Sequence, residues 1–113
     1  MLEEKTIVNV QFKSTLSHEK LYEISNKNKS EMASVKGLII KYYYINPETN
    51  VIGGTYLFEN IGFARDYLRF FFLKGIGLKY GIIPETLKME IGNVNLEIKG
   101  NNTKYSLKDY NSS

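Results

Sequence analysis

Residues 5–13, KTIVNVQFK, alternate with a period of two: Thr6, Val8, Val10 and Phe12 fall on one side, Ile7, Asn9 and Gln11 on the other. The pattern predicts a first strand with one apolar and one mixed face. Ser14-Thr15-Leu16-Ser17 then offers helix caps, with Ser17 best placed and Glu19 in the first turn, where a carboxylate suits the helix dipole. A helix over about 18–34 comes next, its stripe made of Leu21, Ile24, Met32 and Val35 and interrupted by Asn28. Gly37 reads as a helix-ending turn, and LIIKYYYI at 38–45 as the second strand. There Leu38, Ile40, Tyr42 and Tyr44 share one face, and Ile39, Lys41, Tyr43 and Ile45 the other.

Asn46-Pro47-Glu48-Thr49-Asn50 is a turn by composition, so the third strand, VIGGTYLFE at 51–59, closes a hairpin. Two adjacent glycines inside that strand are unusual. Strand glycines mark a bulge, a bend or a close approach to the backbone. Asn60 caps a helix over about 61–74, with a stripe of Ile61, Ala64, Leu68 and Phe71 beside a second of Phe63, Tyr67 and Phe70. An arc that wide predicts burial on more than one side. Gly75 to Gly81, with three glycines, is expected to be a flexible connection, and residues 86–91 a fourth strand with Leu87, Met89 and Ile91 inward. Residues 93–99 either extend it or form a further short strand.

The order is β-α-β-β-α-β. It predicts an α+β, ferredoxin-like domain over 1–99, one antiparallel sheet with two helices on one face, and a polar, poorly ordered tail over 100–113.

Composition narrows the chemistry. The 113 residues contain no cysteine and one histidine, His18, which removes thiol catalysis and disulfides and argues against a three-ligand zinc site. His18 falls in the first turn of a helix, and an exposed position is expected for it. No apolar run nears the roughly 20 residues needed to span a bilayer, and the acidic start MLEEK lacks a signal-peptide pattern. A cytoplasmic protein without membrane contact is the resulting expectation. The net charge of +3 comes from lysines scattered among acids, as on a solvated surface. RNA binding, the third functional reading, finds poor support. An RNA-recognition sheet needs exposed aromatics two residues apart, and Gly54 stands where the first would be, with only Tyr56 matching.

The run GLIIKYYYINPETNVIGGTYLFENIGFARDYL resembles the YdhR-like mono-oxygenase family of the dimeric α+β barrel superfamily. The resemblance rests on Gly37, Lys41, Tyr43, Gly53-Gly54-x-Tyr56-Leu57-Phe58, then Ala64 and Tyr67-Leu68, with Asn9, Gln11 and Phe12 on the first strand. It weakens after Phe70. It implies a homodimer whose sheets pack together, a cavity in each subunit between sheet and helices, and oxygenation of flat aromatic or quinol-like compounds without metal, flavin or other cofactor. Haem-degrading relatives carry an iron ligand on the second helix, where this chain has no histidine, so haem degradation is not expected.

In such oxygenation the substrate supplies the electrons once it has lost a proton, and the protein must exclude water and stabilise the anion. Lys41, flanked by Ile39 and Tyr43, is the candidate for the anion, with Tyr43 as its catalytic partner. Tyr56 would stack on a ring, Asn9 and Gln11 would orient a carbonyl or peroxide, and Gly54 would leave room beside Tyr56. The alternative, from a different class, is a non-catalytic dimeric module that binds or senses a small apolar molecule.

Overall fold

The computed structural model describes residues 4–73 and 76–105. Four strands form one antiparallel sheet: β1 (Thr6–Phe12), β2 (Leu38–Ile45), β3 (Ile52–Phe58) and β4 (Lys88–Asn93), in the spatial order β2-β3-β1-β4. Helices α1 (His18–Lys27) and α2 (Lys29–Ala33) connect β1 to β2, and α3 (Ile61–Leu73) and α4 (Ile76–Lys79) follow β3. The architecture is α+β and consistent with a ferredoxin-like fold.

Local chemistry accounts for most boundaries. Ser17 caps α1 by accepting a hydrogen bond from Lys20 N at 3.1 Å, and Asn60 Oδ1 accepts from Phe63 N at 3.0 Å at the start of α3. In the hairpin between β2 and β3, Asn46 Oδ1 accepts from Glu48 N and Thr49 N, and Asn50 takes the left-handed conformation with φ 60°. Gly37, at φ +80°, is required twice over, since a Cβ there would run into the Phe63 ring.

The even-numbered side chains of β1 and β3 turn toward the helices. Val8, Val10, Phe12, Ile52, Tyr56 and Phe58 pack with Leu21 of α1 and with Ala64, Tyr67, Leu68 and Phe71 of α3 to make the core. The two stripes expected on the second helix thus both contribute to it. The odd-numbered side chains lie on the opposite face, which no helix covers.

Four expectations are corrected. The first helical region divides at Asn28, whose φ −90° and ψ 5° end α1 before α2 begins; the polar interruption of the apolar stripe coincides with a break. A bulge between Leu38 and Ile40 shifts the register of β2. Leu38 therefore packs against the core, away from Ile40, Tyr42 and Tyr44. The glycine-containing segment after α3 holds the short helix α4, and the chain beyond that helix is pinned rather than loose. Ser14 and Ile82 bridge, Thr15 N donates to Gly81 O at 2.9 Å, and Ile83 N donates to Lys13 O at 2.9 Å. Finally, β4 begins at Lys88, after a 3-10 turn at Pro84–Thr86, and runs through Gly92 to Asn93. Residues 94–100 form no further strand, and part of the expected tail, 106–113, lies outside the described residues.

Candidate functional site

A half-open cleft of about 940 Å³ lies between the helix side of the sheet and α1, α2 and α3, with apolar and aromatic side chains forming most of its wall. Lys41, Tyr43, Gly54 and Tyr56 all line it. Strand register brings them together: Lys41 pairs with Tyr56 and Tyr43 with Gly54 across the β2–β3 ladder, so the four side-chain positions share one patch of sheet.

Lys41 crosses that patch. Its Nζ lies 3.9 Å from the centroid of the Tyr43 ring and 4.3 Å from that of Tyr56, and it donates to Met32 Sδ at 3.6 Å. Among the described residues no carboxylate forms an ion pair with it. Burial lowers its pKa from the ordinary 10.5 to about 7. At about 1.4 kcal/mol per tenfold, that drop corresponds to roughly 5 kcal/mol against the charged form. Each ring face favours the ammonium by about 0.5–2 kcal/mol, which offsets part of the desolvation without reversing it. The amine therefore gives up its proton more readily than an ordinary lysine.

Four tyrosines, at 43, 56, 67 and 80, line the same cleft as this amine. The Tyr56 and Tyr67 hydroxyls are 3.3 Å apart, within reach for either to donate to the other, and Tyr67 also reaches Met32 Sδ as a donor at 3.8 Å. Tyr43 is 42% exposed. Tyr80 and Ser25 are polar side chains that influence its hydroxyl. Burial raises the pKa of Tyr43, Tyr56 and Tyr67 above the ordinary value of 10; neighbouring phenols add to the rise at Tyr43 and Tyr56, whereas the hydrogen bond with Tyr56 opposes it at Tyr67. All three are protonated donors at neutral pH.

Asn9 and Gln11 do not join this group. The β1–β3 register places Asn9 opposite Thr55 and Gln11 opposite Gly53, on the face away from the helices. There Gln11 Nε2 donates to Tyr44 Oη at 2.6 Å, and Asn9 Oδ1 accepts from Thr55 Oγ1 at 3.0 Å and from Tyr44 Oη at 3.5 Å. Both amides are hydrogen-bonded in a polar network across three strands.

The two glycines have separate roles for the same reason. Gly53, on the open face, lies beneath the Tyr44 ring; a Cβ there would collide with it and block its reach to Gln11. Gly54, on the cleft face, lies under the Lys41 side chain, and an added Cβ would come within 3.3 Å of Lys41 Cε and 3.4 Å of Tyr56 Cε1. Neither has a positive φ, so both supply room rather than a special backbone conformation.

Met32, Ser25 and Tyr80 are parts of the cleft that sequence reasoning missed, and Tyr67 was legible only as core. The available signals were the unusually wide apolar arc of α3 and a lone tyrosine beside Gly81. Tyr80 is held beside the cleft by a contact distant in sequence, Ser14 Oγ donating to its backbone oxygen at 2.6 Å. Tyr56 is 3% exposed on the helix side, so it offers no surface on which an RNA base could stack. Among the described residues no helix is long and apolar enough to cross a membrane, and no group of three or more metal-ligating side chains comes together.

A family model described as "Putative mono-oxygenase ydhR" matches residues 7–83. That span includes all but the first residue of β1 and every other strand and helix that lines the cleft, and it omits β4. No curated protein shows significant similarity to the chain.

Proposed function

Because this chain belongs to the ydhR mono-oxygenase family, we propose that it binds a flat apolar molecule, aromatic or quinol-like, in the sheet–helix cleft and oxygenates it with electrons drawn from the substrate. The observation that carries the reading is the Lys41 amine, set between two tyrosine faces in an apolar cleft with no carboxylate partner among the described residues.

In its neutral form Lys41 takes a proton from the acidic hydroxyl or methylene of the substrate; as the resulting ammonium it stabilises the phenolate or enolate left behind. The electron-rich ring carbon then reduces dioxygen and forms a carbon–oxygen bond. Loss of water from the hydroperoxide converts a methylene to a carbonyl, so one molecule each of substrate and dioxygen gives one of product and one of water. Tyr43 and Tyr56 bracket the ring, and Tyr43 supplies a phenolic donor. Exclusion of water strengthens the pairing between Lys41 and the anion. In this reading the subunit works as a homodimer, packed through the open face of the sheet, where Ile7 and Tyr42 are half exposed.

Oxygen uptake over a panel of quinols and anthrones tests the proposal. Uptake is expected with at least one compound, reduced on the order of a hundredfold in Lys41→Met. No uptake with any member would overturn the oxygenase reading. A rise in Tm with a panel compound, without turnover, would instead favour a binding or sensing module.

A further inference from the structure

The surroundings of Lys41 suit a nucleophile as well as a counter-charge. Its amine projects from β2 into the cleft, and the acceptor it finds there is the thioether of Met32, which is weak and uncharged. Other lysines are held differently. Lys5 and Lys20 pair with Glu97 and Glu23, and Lys79 donates to Asn28, all at exposed positions. Gly54 lets the Lys41 side chain lie close against the strand, since a Cβ there would come within 3.3 Å of Lys41 Cε. Tyr67 donates to the same sulfur at 3.8 Å, so a hydroxyl and the amine converge on one point.

We propose that Lys41 captures a flat apolar aldehyde in this cleft as an imine, a covalent reaction separate from oxygenation. The nitrogen lone pair attacks the carbonyl carbon and forms the C–N bond. The C=O π pair moves to oxygen, which takes a proton from the Tyr67 hydroxyl, and that phenol recovers one from the nitrogen. The carbinolamine then loses water, carrying off the second amine hydrogen as C=N forms. Amine and aldehyde become imine and water, and nothing is oxidised or reduced. The aromatic walls select a planar, apolar aldehyde over a hydrated or charged one. Because burial lowers its pKa from 10.5, a far larger share of the Lys41 amine carries the free lone pair at neutral pH than the about one in a thousand or fewer of an unperturbed lysine.

The test uses 2-naphthaldehyde with sodium cyanoborohydride on the folded chain at neutral pH, followed by peptide mass mapping. Lys41 is expected to take the naphthylmethyl group on the order of tenfold faster than any other lysine, its lower basicity offsetting part of its larger neutral fraction. Excess 2-naphthol, which has the ring system but no carbonyl, is expected to protect Lys41 alone. Lys41→Arg should lose the fast site and keep the slow ones. Labelling of Lys41 no faster than the surface lysines in the wild-type chain overturns the proposal whether or not the variant folds. The oxygen-uptake assay is independent: uptake without Lys41 labelling overturns the imine and leaves the oxygenase, and labelling without uptake does the reverse.

Discussion

The two faces of the central sheet are built from alternate residues of the same strands, yet they solve different problems. On the open face, Gly53 leaves room for the Tyr44 ring, and Tyr44, Gln11, Asn9 and Thr55 form hydrogen bonds with one another, all between neutral groups. On the cleft face, one residue along, Gly54, Tyr43, Lys41 and Tyr56 surround a cation whose charged form is disfavoured by burial. The first arrangement resembles a structural network; the second holds a group away from its ordinary ionisation. A strained titratable group in a concave site is a marker of function, whereas satisfied amides are not.

The largest consequence of this contrast concerns stability. The folded pKa of Lys41 lies below its unfolded value, so between about 7 and 10.5 the unfolded chain binds the extra proton and stability rises with pH. Urea unfolding of the wild-type chain is expected to show that rise from neutral pH to about pH 9.5, short of ordinary tyrosine ionisation. Lys41→Met should flatten the profile and be more stable at neutral pH by on the order of 3 kcal/mol, less than the full desolvation because the rings offset part. A variant as pH-dependent as the parent would mean that Lys41 is not desolvated.

A smaller effect is expected from the open face. If it is the homodimer contact, Tyr42→Glu, at a position 53% exposed in the single chain, should weaken association at least about tenfold in sedimentation equilibrium. Ligand-induced stabilisation through the cleft should persist. A wild-type chain that sediments as a monomer would remove the dimer from the proposal.

The smallest effect separates the glycines. Gly53→Ala pushes the Tyr44 ring off the strand and breaks its bond with Gln11, with an expected loss of about 1 kcal/mol after the gain from replacing a strand glycine. In a Tyr44→Ala background the same change should be neutral or stabilising, and a double-mutant cycle measures the coupling. Equal losses in both backgrounds would show that Tyr44 is not the reason for Gly53.

Most of the fold was legible because its signals are local. Period-two alternation marked β1, β2 and β3, Ser17 and Asn60 marked helix starts by their capping oxygens, and Asn46 to Asn50 marked the hairpin. Lys41, Tyr43, Gly54 and Tyr56 could be read as candidates from residue type and resemblance. The grouping of Asn9 and Gln11 with them failed for a definite reason. Alternation assigns each side chain to a face of its own strand, but it does not say which face of one strand matches which face of the next. That match depends on register, which is set by hydrogen bonds between residues distant in sequence.

The same limit applies to VIGGTYLFE. Sequence alone determined that two adjacent glycines in a strand must leave room on opposite sides of the sheet, because consecutive positions point opposite ways. Only the tertiary structure decided what fills each space. Pairing with β2 put the Tyr44 ring over Gly53 and the Lys41 side chain over Gly54. It also took long-range packing to bring Met32 and Tyr80 to the cleft and remove the Lys41 amine from water, since desolvation arises from the assembled walls and not from neighbours in the chain.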